Sequence, residues 1–193
     1  MKKLSAIVIG ASAGGLAALS ELLSSLSPDF PVPIAVVQHL SSESMNLSVA
    51  QLDRISPLEI KECEDKEPLL PGKVYLAPPN YHLLFQRDCT IGLSVDPKVN
   101  YSRPSIDVLF ETAAEVFTDE LAAVILTGAN SDGTLGCRKI KEYGGMIIAQ
   151  DPETAEVAMM PASVIENVGA DFILPLYEIG TFLNKLVKEN FNE

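Results

Sequence analysis

The chain contains no tryptophan, two histidines and three cysteines in 193 residues, and each scarcity removes a class of function. Cys63, Cys89 and Cys137 are widely separated, with no Cys-x-x-Cys pair and no histidine at ligand spacing. That pattern excludes a disulfide framework and a zinc site, so no metal and no cofactor is expected. Each cysteine is expected to serve as a small buried apolar side chain. Basic residues are also few: 14 Lys and Arg stand against 26 Asp and Glu, a net charge of -12. A chain this acidic repels phosphate backbones, which excludes nucleic acid as a partner. No apolar run approaches the roughly 20 residues that span a bilayer. Met1-Lys2-Lys3 leads into a strand pattern without a cleavage-site pattern, so a cytoplasmic protein with no membrane insertion is expected. No composition break, repeat or low-complexity linker interrupts residues 1–193, which are read as one domain. With two histidines, any imidazole chemistry must use His39 or His82.

What is present begins with Ala6-Ile7-Val8-Ile9, a β-branched run that ends at Gly10 and is followed from Leu16 by an amphipathic pattern. The segment reads strand, tight turn, helix, with Ser12 in the turn. Three readings of it compete. A dinucleotide phosphate loop requires glycine where Ser12 stands and an acidic residue after the next strand, where Gln38-His39 stand instead. Gly10-Ala11-Ser12-Ala13-Gly14 fits the G-x-S-x-G turn that lifts a nucleophilic serine above a sheet. Ser12 could equally be a helix N-cap.

Leu16, Leu19, Leu22, Leu23 and Leu26 recur at helical spacing, and the run Ile34-Ala35-Val36-Val37 reads as a strand covered on both faces. A right-handed βαβ unit therefore places Ser12 and His39 at one carboxyl edge of a parallel sheet, where such sheets bind ligands. A serine needs an adjacent base, and imidazole titrates in the right range. Residues 41–55 read as a helix with Met45, Val49, Leu52 and Ile55 on one side, 58–61 and 74–77 as short strands, and 62–67 as a solvated charged run. Residues 81–85 and 90–95 alternate around a polar break as an antiparallel hairpin, which makes His82 structural. After a polar surface loop at 96–104, Pro104 marks a helix start and 121–126 form another buried strand. That strand ends in Thr127-Gly128-Ala129-Asn130-Ser131-Asp132-Gly133, and a helix through 140–143 follows. Asp132 is either a turn cap or the carboxylate that orients His39. A strand at 146–150, a short helix starting at Pro161, a strand at 172–174 and a helix over 177–189 complete the alternation. The fold class expected is α/β, a three-layer doubly wound, mainly parallel sheet with an appended antiparallel hairpin.

The segments Ile9-Gly10-Ala11-Ser12-Ala13-Gly14-Gly15, Val37-Gln38-His39, Pro71-Gly72-Lys73-Val74-Tyr75-Leu76-Ala77-Pro78, Arg103-Pro104-Ser105-Ile106-Asp107-Val108-Leu109-Phe110, Leu126-Thr127-Gly128, Asp132-Gly133 and Met160-Pro161 together resemble the catalytic domain of the CheB family of chemotaxis-receptor protein-glutamate methylesterases and glutamine deamidases. The resemblance implies Ser12 as nucleophile, His39 as general base and acid, Asp132 as orienting carboxylate, and a methylated chemoreceptor or similar sensory receptor as substrate. Ala13 and Gly14 would supply oxyanion amides, and Ala129 and Arg103 are candidate substrate contacts. Two positions depart from the family pattern. Ala13 stands where Thr is usual, and Ala129-Asn130 where Met-Gly is usual, which leaves a non-catalytic receptor-binding module on the same fold as the alternative. Because the first strand begins at about Ala6, the N-terminal receiver domain of many chemotaxis members is expected to be absent, which implies either regulation by a separate protein or a constitutively open enzyme.

Overall fold

The computed structural model describes residues 3–39 and 42–191, apart from the side chains of 42–47, 190 and 191. Met1, Lys2 and Ser41, and the side chain of Met45, lie outside the described residues.

Strands β1 (Ala6–Ala11) and β2 (Ile34–Gln38) are buried along their whole length, as their unbroken apolar runs require of a parallel sheet covered on both faces. They pair in parallel from Ile7 against Ile34 to Ala11 against Gln38. On its other side β1 pairs in parallel with β7 (Leu121–Ile125). The sheet continues through β4 (Lys73–Leu76) to β3 (Glu59–Glu62) at one edge, and through β8 (Met146–Gln150) to β9 (Phe172–Leu174) at the other. All seven strands are parallel in the order β3-β4-β2-β1-β7-β8-β9. The direction of winding reverses between β1 and β7, so a crevice opens at the carboxyl ends of those two strands.

Strand alternation sends Ile7, Ile9, Val36 and Val124 into one core layer, with Leu19 and Leu22 of helix α1 (Gly15–Ser24), Leu52 of α2 (Ser42–Ile55) and Leu183 of α6 (Leu176–Phe191). Val8, Ala35, Ala123 and Ile125 face the opposite layer, with Phe110 of α3 (Ile106–Phe117), Ile140 of α4 (Thr134–Glu142) and Val164 of α5 (Met159–Asn167). Each fully buried aliphatic or aromatic side chain adds roughly 1.5–3 kcal/mol through apolar burial. The hairpin is a separate two-stranded unit, β5 (His82–Phe85) paired antiparallel with β6 (Ile91–Ser94), and it seals the second layer through an edge-on contact of Phe85 with Phe117 at 5.1 Å.

Three local expectations need correction. Cys89 is exposed, because it occupies a hairpin turn at φ 63 that faces solvent, whereas Cys63 and Cys137 are buried. The run 62–67 is not wholly solvated: Glu67 is partly buried and pairs with Lys61 at 2.8 Å, and Asp65 accepts the Leu93 amide at 3.0 Å. Helix α5 begins at Met159, with Pro161 inside its first turn, where a missing N–H breaks no helical bond.

Candidate active site

Ser12 is placed by backbone bonds on three sides. Its amide donates to the Thr127 carbonyl at 3.0 Å, and its own carbonyl accepts the Gly15 amide and Gln38 Nε2, both at 2.8 Å. Gly14, at φ 74, is the N-cap of α1, and no side chain caps that helix. The N-cap reading of Ser12 is therefore set aside, and its hydroxyl points instead to His39, with Oγ 3.2 Å from Nδ1. Gln38 also donates to the His39 carbonyl at 3.2 Å, so one buried amide ties both turns together. This arrangement requires glycine at 15, because a Cβ there would lie 2.0 Å from Gln38 Oε1 and 2.8 Å from the Ala11 Cβ. Gly15→Ala is accordingly expected to cost about 1–3 kcal/mol of stability, the usual range for overpacking. It should also loosen the turn that carries Ser12 by displacing Gln38, with the stability loss read by thermal melting.

His39 follows β2 and bridges the site. Its Nε2 lies 3.0 Å from Asp132 Oδ2. A carboxylate only accepts, so the proton resides on Nε2 and the Nδ1 lone pair faces the serine hydroxyl. The separations fall within general-base reach.

Asp132, fully buried in the turn between β7 and α4, accepts more than the imidazole. Oδ2 takes the Ile106 amide at 2.8 Å, while Oδ1 takes the Asp107 amide at 3.0 Å and the Ser105 hydroxyl at 2.9 Å. It thus stands in for a side-chain N-cap on α3, where a negative charge meets the positive end of the helix dipole. Burial opposes its charge, but the bonds from His39 and from the Ile106 and Asp107 amides prevail and hold the carboxyl below its ordinary value.

Asp107 returns the cap. Its Oδ1 accepts the Gly133 amide at 2.9 Å and the Gly136 amide at 2.8 Å at the start of α4, so each acid caps the other's helix. Burial, and then the nearby Asp132 charge, push Asp107 up to about 6 despite the two amides. Raised above its unfolded value, this group stabilises the fold fully below about pH 4 and loses that contribution as pH rises through about 6. Relative to Asp107→Asn, the protein should therefore lose on the order of 2 kcal/mol between those limits, measured by urea unfolding across the range.

The remaining predicted residues are distributed around this chain of bonds. The Ala13 carbonyl accepts Thr127 Oγ1 at 2.9 Å. Among the described residues, the Ala13 and Gly14 amides donate no hydrogen bond. Ala129 is exposed in the turn that carries Asp132. Arg103 Nη1 donates to the carbonyls of Val95 at 2.7 Å and Asp96 at 2.9 Å, bracing the loop after the hairpin. His82 is buried, accepts the Ser105 amide on Nδ1 at 3.2 Å and donates from Nε2 to the Pro97 carbonyl at 3.1 Å. Gln38, Thr127, Ser105 and Asp107 lie within the motif segments quoted above, yet nothing in their spacing marks them as partners of the triad. Asn100, in the polar loop 96–104, donates from Nδ2 to Asp107 Oδ2 at 2.9 Å and Asp132 Oδ1 at 3.4 Å, and no motif marks it. Among the described residues, no three His, Cys, Asp or Glu side chains are grouped to hold a metal, and no helix is long and apolar enough to cross a membrane.

A doubly wound α/β sheet with serine, imidazole and buried carboxylate joined at its switch point has the architecture of a serine hydrolase. Comparison with known proteins narrows that class: the profile of the CheB methylesterase family matches residues 7–183. The chain belongs to the CheB methylesterase family. It is 50% identical, over 97% of both chains, to a Leptospira interrogans protein provisionally named a protein-glutamate methylesterase/protein-glutamine glutaminase. It is 43% identical to the Thermotoga maritima protein-glutamate methylesterase/protein-glutamine glutaminase, matching 94% of this chain and 54% of that protein. The crystal structure of the Thermotoga maritima CheB methylesterase catalytic domain superposes with a TM-score of 0.92 at 41% identity, covering 96% of this chain and all of that one.

Proposed function

We propose that this protein is a cytoplasmic serine esterase that removes methyl groups from glutamyl esters of a sensory receptor. The observation that carries the proposal is the unbroken chain from Ser12 Oγ through His39 to Asp132. In the first half-reaction Ser12 Oγ attacks the ester carbonyl and His39 Nδ1 takes the hydroxyl proton, while Asp132 stabilises the imidazolium. The unbonded Ala13 and Gly14 amides are the candidates to receive the oxyanion. His39 then passes its proton to the departing methoxide, releasing methanol and leaving an acyl-Ser12 ester. In the second half-reaction water gives a proton to His39 and attacks the acyl carbon, and Ser12 Oγ leaves with that proton. The product is a glutamate carboxylate, and the same cycle on a glutamine side chain would release ammonia.

The departure at Ala13 touches this scheme through the backbone, because the atoms in question are its amide and carbonyl. Ala129-Asn130 leaves the chain from Ser12 to Asp132 unbroken. A non-catalytic scaffold is therefore not favoured. Incubation with methyl-labelled receptor membranes is expected to release methanol, and glutamine-bearing receptor to release ammonia more slowly. Release no faster than in buffer would contradict the proposal.

A further inference from the structure

We propose that Asn100 is a positioning residue of this site, a neutral amide bridge that holds Asp132 against His39 and keeps it apart from Asp107; this rests on the esterase reading above. Asn100 Nδ2 carries two protons and faces both acids, at 2.9 Å from Asp107 Oδ2 and 3.4 Å from Asp132 Oδ1. The other oxygen of Asp107 is occupied by the Gly133 and Gly136 amides, so among the described residues its Oδ2 has Asn100 as its donor. Without the bridge, the Asp107 and Asp132 carboxylates would lose the amide they share, and each charge would disfavour the ionised form of the other. Asp132 would keep its bonds from Ser105, Ile106 and Asp107 but lose its donor on the Asn100 side and part of the charge that holds it against His39 Nε2.

The loop is built to present this amide. Val99 and Ser102 exchange both backbone hydrogen bonds, at 3.1 and 2.8 Å, around a two-residue turn. Asn100 and Tyr101 both take positive φ, 49 and 63, the signs that a type I′ turn requires. Asparagine tolerates that region, whereas a bulky tyrosine does not. Tyr101 is 97% exposed and gains no burial in exchange, so the turn is shaped for its partner, Asn100. Arg103, through the Val95 and Asp96 carbonyls, and His82, through the Pro97 carbonyl, fasten the loop that carries it.

The test compares Asn100→Ala, Asn100→Asp, Tyr101→Gly and Ser12→Ala in methanol release from methylated receptor membranes, with melting temperature measured on each. Asn100→Ala is expected to lower kcat roughly tenfold with KM unchanged, a fraction of the ~10²–10⁴ that general acid–base catalysis contributes. Tyr101→Gly, which relieves the turn without touching the bridge, should retain wild-type activity. Asn100→Asp places a third carboxylate among groups that already include Asp107 and Asp132, with Glu111 and His39 beyond them. Its activity relative to wild type should therefore be lowest above neutral pH and recover as pH falls, when the new acid gains a proton to share. A structural role alone would not produce that recovery. Wild-type kcat in both Asn100 variants, with Ser12→Ala inactive, would overturn the bridge while leaving the esterase reading intact. If Asn100→Ala melts early, the pH-dependent ratio for Asn100→Asp decides, and a flat ratio overturns the proposal. Full activity in Ser12→Ala would overturn the esterase reading itself and the bridge with it.

Discussion

Ser12→Ala is expected to lower kcat for glutamyl methyl ester hydrolysis by about 10⁴-fold or more, the scale on which loss of a triad nucleophile acts. The fold should tolerate the change. The bonds that set the turn, to Thr127, Gly15 and Gln38, use the backbone of residue 12 and survive alanine. Its side chain contributes one hydrogen bond, to His39 Nδ1, in a partly exposed position. Melting temperature should therefore stay within a few degrees of wild type while methanol release disappears. That separation of activity from stability distinguishes a nucleophile from a structural serine.

Asp132→Asn should do the opposite and lose both. Asp132 accepts five hydrogen bonds: from His39, Ile106 and Asp107, from the Ser105 hydroxyl and from Asn100. Each carboxylate oxygen takes one backbone N–H at the start of α3, so an asparagine in either orientation sets its NH₂ against an amide that needs an acceptor. The buried mismatch should cost about 2–3 kcal/mol. Asp132→Ala, which strands both amides, should cost about 3–5 kcal/mol. Catalysis falls for a separate reason. Without an anion to accept Nε2–H, nothing enforces the tautomer that leaves Nδ1 free, and the imidazolium formed during acylation loses its counter-charge. A drop in kcat of about 10⁴ is expected, with denaturant melts supplying the stability arm.

That Ser12, His39 and Asp132 meet was legible because each follows an apolar run, Asp132 within the turn beyond the third, and parallel pairing brings the ends of such runs to one edge. Ser12 and His39 follow neighbouring strands, and Asp132 follows β7 on the other side of β1. The hairpin was likewise readable from its alternation. The support beneath the triad was not. Periodicity says nothing of a carboxylate that caps a helix other than its own, which is what Asp132 and Asp107 do for each other. The same holds for Gln38, whose amide joins two carbonyls that are neighbours only once β1 and β2 have paired. The loop bracing by Arg103 was equally hidden, because the Val95 and Asp96 carbonyls that its Nη1 meets lie eight and seven residues back in a segment without periodicity. Cys89 escaped because a side chain in a left-handed turn belongs to no face of a strand or helix.

The most direct measurement is covalent labelling with a serine-directed phosphonate, with the adduct located by mass spectrometry of proteolytic peptides. One phosphonyl group per chain is expected, on Ser12, forming at a rate that collapses in His39→Ala and Asp132→Asn. An unlabelled protein, or an adduct on another serine with Ser12 untouched, would contradict the assignment of Ser12 as the nucleophile.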